Sequence, residues 1–286
     1  MAETPRHLGV VGAGTMGAQI AYQAALHGYQ VTLCGRDAVR LEESAQGAAA
    51  ILRRRMEKGK LSVAECDTAL AGVTRSCDRD ALAGCDIVIE SVAEDRVKKR
   101  EVLADISTRV GKDTLIGTNS STLPSSMFAD VVTHPERLCN VHFFNPALTM
   151  PLVEVVQGEH TADSVVERAM TFARDIGKRP VRLRRESYGF LANRMLFIAL
   201  REAFTLVENG FVSMEDCDDA VRSALAWPLG PFALADLIGL DVTAAILREG
   251  ALQTGEARWA PPRILTERVE RGEVGRKTSR GFYASN

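Results

Sequence analysis

Apolar and polar positions keep one rhythm up to about residue 185 and another beyond it. In the first part, short continuous apolar runs alternate with stretches of helical period, the pattern of parallel strands covered on both faces. Leu8 to Val11 predicts the first strand, with a helix following to about His27 and Gly28 as its cap. Further strands are predicted at 30–34, 86–90, 114–118, 138–144, 152–157 and 181–183, and helices at 38–58, 95–109 and 162–176. Ser62-Val63-Ala64-Glu65 has the spacing of a capping box and opens one more short helix. After Tyr188 only helical segments are predicted, at 188–208, 213–225, 230–238, 241–249 and 261–271. The expected architecture is an α/β unit over 1–185 with a doubly wound sheet, then an all-helical unit over 186–286. Segment 188–208 carries Phe190, Leu191, Met195, Leu196 and Ile198, too many apolar positions for one narrow stripe. It is expected to pack on the first unit and on a second copy of the chain, giving a homodimer.

The first strand runs straight into Gly12-Ala13-Gly14-Thr15-Met16-Gly17, which is G-x-G-x-x-G between a strand and a helix. Gly12 permits a tight turn, Gly14 lets a phosphate approach bare backbone, and Gly17 lets the helix pack close to the strand. The helix N-terminus then favours the anion. A Rossmann-like dinucleotide site is the expectation. The second strand of such a unit normally ends on an acid that accepts from both ribose hydroxyls of NAD. Here that place holds Gly35-Arg36. No carboxylate repels a 2′-phosphate and a guanidinium is present to bind one; the other reading of Arg36 is a solvated turn residue. Asp37 is read as the cap of the next helix. The expected cofactor is NADP, with NAD as the alternative, and an acid placed at Gly35 is expected to turn the preference towards NADH.

Composition adds mostly exclusions. The 286 residues are 46% hydrophobic and 25% charged with a formal net charge of −2, which argues against a broad nucleic-acid surface. Seven residues before the first strand leave no room for a leader, and no apolar run approaches about 18 residues. The six cysteines are scattered without a C-x-x-C pair, which fits reduced thiols better than disulfides or zinc. These features together predict a cytoplasmic protein with no membrane partner and no metal. The basic run Arg53 to Lys60 is by default a solvated surface, yet it adjoins the nucleotide half and could meet an anionic part of a substrate.

Candidate chemistry gathers beyond the strand ends. Asn119-Ser120-Ser121-Thr122 follows a predicted parallel strand, at the end where such sheets bind ligands. His142 lies within Val141-His142-Phe143, and strand alternation turns it away from both neighbours. Glu154 interrupts the apolar run Leu152-Val153-Glu154-Val155-Val156 and needs a partner there. An imidazole on a neighbouring strand would supply one, and the carboxylate would fix its tautomer and raise its basicity, as a general base near neutral pH requires. A satisfied core histidine remains the other reading from spacing alone.

The glycine loop, Asn119-Ser120-Ser121, His142-Phe143-Phe144-Asn145-Pro146, Leu152-Val153-Glu154-Val155 and Gly189-Phe190-Leu191-Ala192-Asn193-Arg194 stand in one order. So do Trp227-Pro228-Leu229-Gly230-Pro231-Phe232, Asp236 to Asp241, and Gly275 to Tyr283. Together they closely resemble the L-3-hydroxyacyl-CoA dehydrogenase family, in its short 3-hydroxybutyryl type, over essentially the whole chain. The resemblance implies hydride transfer between a nicotinamide and C3 of an acyl-CoA thioester. It implies His142 as catalytic base, Glu154 as its orienting partner, and Ser121 and Asn193 at the substrate oxygen and the histidine. It implies Glu94, Lys99, Asn119 and Asn145 near the cofactor's ribose and nicotinamide, and Lys58 against the CoA phosphates. Three departures accompany it: Gly35-Arg36 for an acid, Tyr188 for a proline, and Pro151 where relatives often carry lysine. A carrier-protein thioester or a small hydroxy acid is the alternative substrate, and a non-catalytic nucleotide-binding protein the alternative class.

Overall fold

The computed structural model describes residues 6–284, and the chain divides into two compact units that meet in sequence between Phe190 and Leu191. The first unit holds β1 (His7–Val11), β2 (Gln30–Cys34), β3 (Val73–Ser76), β4 (Ile87–Glu90), β5 (Leu115–Thr118), β6 (Leu138–Phe143), β7 (Leu152–Val156) and β8 (Arg179–Leu183). Among the described residues these form one sheet in the order β3-β2-β1-β4-β5-β6-β7-β8. Pairing is parallel from β3 across to β6; β7 runs antiparallel to β6, and β8 parallel to β7. The strand order reverses between β1 and β4, where doubly wound sheets open a crevice for a ligand.

Alternation along the strands explains the two cores. Leu8, Val10, Ile87, Ile89, Val141 and Phe143 face one side with α1 (Thr15–Ala25), α2 (Ala38–Glu57), α3 (Val63–Ala71) and α5 (Asp163–Asp175). Val11, Val88, Ile116 and Leu138 face the other, with Leu103 and Ile106 of α4 (Arg96–Arg109) and with Phe128. Local caps fix where the helices begin. Asp37 accepts from the amides of Val39 and Arg40 at 2.8 and 3.2 Å, and Ser62 and Glu65 form the reciprocal capping box. Strand β3 has no counterpart among the predicted elements: in Val-Thr-Arg-Ser only Val73 is buried, so no apolar run announces an edge strand.

The second unit is helical: α6 (Ala192–Glu208), α7 (Met214–Leu225), α8 (Pro231–Ile238), α9 (Leu240–Thr254) and α10 (Arg263–Glu270). Helix α6 starts four residues later than the pattern predicts. Gly189 and Phe190 take left-handed φ of 72° and 50°, which a helix cannot contain. Helix α9 runs five residues further than predicted, until Gly255 turns left-handed at φ 67°. The rings of Phe204, Phe232 and Phe282 meet at 4.8–5.1 Å in this unit's core. Among the described residues no helix is long and apolar enough to cross a membrane.

Candidate active site

The glycine loop is shaped by close approaches that only glycine allows. Gly12 has φ 118°, and a Cβ there would sit 2.4 Å from the Ser91 carbonyl oxygen. A Cβ on Gly17 would lie 1.9 Å from the Gly12 oxygen, so the helix could not seat against the turn. Gly14 is the opposite case: nothing lies within 4 Å of a Cβ there. It is the N-cap of α1, and no side chain caps that helix end, so Thr15, Met16 and Gly17 begin a helix with its amides open to an anion. The residues present fit a dinucleotide pyrophosphate.

At the end of β2 the space is closed differently. A Cβ on Gly35 would be 2.8 Å from Leu41 Cγ and 3.0 Å from Ala13 Cβ. A side chain at this position therefore has to displace Leu41 or Ala13, so Gly35→Asp carries a steric cost at the β2–α2 turn. Arg36 is exposed beside it and has no acidic partner among the described residues. Asp37, the nearest acid, is committed to its cap. Lys58 is exposed at the C-terminal end of α2, and Arg53, Arg54 and Lys60 are exposed around it.

Between the ends of β4 and β5 a buried charge network organises two loops. Lys99 is 1% exposed and donates to both carboxylate oxygens of Glu90 at 3.0 and 3.2 Å, while Glu94 stands 3.2 Å away. Thr118 and the Val92 amide donate to the same Glu90. Lys99 is thus held inside, and Glu94 is the carboxylate of the set that reaches the surface. Its Oε1 accepts from the hydroxyl of Ser120 and from the amides of Ser121 and Thr122 at 3.0 Å each, which fixes the Ser120–Thr122 turn. Burial pushes the Glu94 carboxyl up, but Lys99 and the bonds from Ser120 and Thr122 outweigh it and hold it below the usual carboxylate range. The Ser121 hydroxyl is half-buried and leans on Glu94 at 3.4 Å. Asn119 braces three strand ends: its Oδ1 accepts from the Phe143 amide at 2.8 Å, its Nδ2 donates to Ser91, and its own amide donates to Glu90.

His142 and Glu154 are directly paired across β6 and β7. Nδ1 lies 2.9 Å from Glu154 Oε2, with the carboxylate fully buried and the histidine 4% exposed. Phe144 and Phe190 flank the imidazole at ring-centre distances of 4.4 and 5.6 Å. The carboxylate anchors one nitrogen and the aromatic faces confine the ring, so Nε2 is the nitrogen left for a reacting group. Asn145 is exposed just beyond Phe144, and Asn193 is half-buried in the first turn of α6, within the second unit.

Sequence reasoning missed one feature of this region. Lys178 is 7% exposed, and its ammonium donates to the carbonyls of Ala147 and Met150 in the connection between β6 and β7. Burial, and then the charge of Arg55, push its pKa down to about 8. In Gly177-Lys178-Arg179-Pro180 it reads like the solvated cations around it, and only its burial sets it apart.

Residues 7–187 match the family model described as 3-hydroxyacyl-CoA dehydrogenase, NAD binding domain, and residues 189–285 match that of the same family's C-terminal domain. A 3-hydroxybutyryl-CoA dehydrogenase of Mycobacterium tuberculosis is 35% identical over 285 residues, covering 99% of each chain. A 3-hydroxyadipyl-CoA dehydrogenase of Escherichia coli is 37% identical over 96% of this chain and 58% of its own length. The crystal structure of an (S)-3-hydroxybutyryl-CoA dehydrogenase from Ralstonia eutropha superposes with a TM-score of 0.94 at 34% identity, covering 99% of this chain and all of its own.

Proposed function

Since the chain belongs to the 3-hydroxyacyl-CoA dehydrogenase family, we propose that it interconverts short-chain 3-hydroxyacyl-CoA and 3-ketoacyl-CoA thioesters and favours NADP over NAD. The observation that carries the catalytic reading is the buried His142–Glu154 pair at 2.9 Å. In oxidation, Nε2 of His142 takes the proton of the C3 hydroxyl, and Glu154 stabilises the imidazolium that results. In reduction the same nitrogen returns that proton to the oxygen on C3. The nicotinamide, when bound, supplies or accepts the hydride. Ser121 and Asn193 are assigned to the oxygen on C3, and Asn119 and Asn145 to the nicotinamide side. Glu94, with Lys99 holding it, is assigned to the ribose, and Lys58 to the CoA phosphates. We further assign the protein to the cytoplasm, as a homodimer.

The preference for NADP rests on Gly35 and Arg36. Gly35 supplies no carboxylate to accept from both ribose hydroxyls, and Arg36 offers a guanidinium to a 2′-phosphate. An exposed ion pair is worth about 1 kcal/mol, and bidentate geometry raises it, so NADPH is expected to lead by about tenfold or more. The test is a matrix of NADH and NADPH against acetoacetyl-CoA and longer 3-ketoacyl-CoA esters, with Arg36→Ala alongside. The expected result is a higher kcat/KM with NADPH that Arg36→Ala erodes through KM for NADPH alone. A higher kcat/KM with NADH in the unmodified protein overturns the cofactor assignment, and no turnover with any ketoacyl-CoA overturns the substrate assignment.

A further inference from the structure

The connection between β6 and β7 joins the strand of His142 to the strand of Glu154, and it is held from outside at four points. Lys178 Nζ donates to the Ala147 and Met150 carbonyls at 2.5 and 2.9 Å. Arg55 of α2 donates to the Leu148 carbonyl at 2.7 Å, and Gln19 of α1 accepts from the Leu148 amide at 3.2 Å. Helices α1 and α2 and the loop between α5 and β8 thus converge on Ala147, Leu148 and Met150. We propose that Lys178 and Arg55 are positioning residues for the reaction: they hold the 146–150 segment so that Phe144 keeps its place beside the His142 ring and Asn145 its place just beyond. Phe144 stands two residues before this segment with its ring 4.4 Å from His142, and Asn145 immediately precedes it.

Energetics favour a role beyond general stability. A buried ammonium costs desolvation, and here a second cation, Arg55, opposes it as well; the depressed pKa of Lys178 records both. A packed apolar side chain in its place removes that cost but leaves the Ala147 and Met150 carbonyls without their donor. What it cannot do is reach the Ala147 and Met150 carbonyls together and fix their separation. Misplacement of reacting groups by about 1 Å costs on the order of a hundredfold in rate.

This inference rests on His142 as the base, so His142→Gln is measured beside it. The test compares the unmodified protein with Lys178→Met, Arg55→Gln and Arg55→Lys by steady-state kinetics, thermal unfolding and deuterium exchange of peptides covering 144–151. In Lys178→Met, kcat is expected to fall roughly ten- to a hundredfold with KM for the ketoacyl-CoA little changed, and exchange to rise within 144–151 and not elsewhere. Arg55→Gln, a change at a half-buried helix position, is expected to act in the same direction more weakly, with Arg55→Lys restoring the rate. Unchanged kcat in both Lys178→Met and Arg55→Gln overturns the proposal, provided His142→Gln is inactive; an active His142→Gln overturns the catalytic reading instead. A uniform rise in exchange with a lowered unfolding midpoint, in place of the local one, also overturns it, because that is the behaviour of a purely structural pair.

Discussion

His142 and Glu154 face one another across the antiparallel pair β6–β7, and each needs the other: an unpaired carboxylate in that strand would be prohibitively desolvated, and an unanchored imidazole would present either nitrogen. His142→Gln is expected to lower turnover by roughly 10²–10⁴-fold while cofactor binding, followed by titration of nicotinamide fluorescence, persists. Glu154→Gln keeps the shape and can still accept from Nδ1–H, so folding is retained, but it no longer stabilises the imidazolium. Its kcat is expected to fall in the same direction, and near-normal turnover in either variant removes the mechanism. At this scale the sequence was informative in an uneven way. A glutamate inside an apolar strand is visible without any structure, since burial demands a partner for it. Its register against His142 was not, because a one-residue shift of β7 would place Val153 or Val155 opposite instead. Lys178 was invisible, since nothing local distinguishes a buried lysine from the exposed arginines beside it.

The β1–α1 element shows the same division between what spacing carries and what only contacts reveal. G-x-G-x-x-G specifies the turn, and the fold gives each glycine its own constraint: positive φ at Gly12, open space at Gly14, and a carbonyl pressed against Gly17. These assign different outcomes to the same substitution. Gly17→Ala drives a methyl into the Gly12 oxygen, and it is expected to lose dinucleotide binding and to destabilise the first unit by more than 2 kcal/mol, on the order of an overpacked core site. Gly14→Ala meets nothing in the free protein, so its unfolding midpoint is expected to stay put while cofactor affinity drops. Equal thermal shifts in the two variants would contradict this assignment. Strands buried on both faces were legible from their continuous apolar runs, as were the helices announced by Asp37 and by the Ser62–Glu65 box. What escaped was β3, an edge strand whose pairing with β2 is made by backbone and not by apolar side chains. The start of α6 escaped as well, because left-handed backbone at Phe190 leaves no mark in an apolar pattern.

For the molecule as a whole, two solution properties follow. Met195, Phe211 and Leu252 of the second unit are 67%, 79% and 81% exposed, apolar surface available for a second copy of the chain to cover. Sedimentation at micromolar concentration is expected to show a dimer, and a single monomeric species would rule out the homodimer. Stability against pH follows from the buried titratable groups. Lys178 titrates at about 8 in the folded chain, against 10.5 when exposed. Between those values the unfolded chain carries a proton there and the folded chain does not, so this group adds stability as pH rises from 8 to 10.5 and loses it as pH falls through 8. At about 1.4 kcal/mol per pKa unit the window carries on the order of 3 kcal/mol. The buried thiols act in the opposite sense. Burial pushes Cys34 up to about 11, and Cys85 and Cys139 up to about 12, so above pH 9 the unfolded chain releases protons that the folded chain keeps, and stability falls. The unmodified protein is therefore expected to gain stability from pH 8 to about 9 and then lose it. In Lys178→Met the gain should vanish while the loss above pH 9 remains. Denaturant midpoints at half-unit pH steps check this, and a rise that persists in Lys178→Met would assign it to another group.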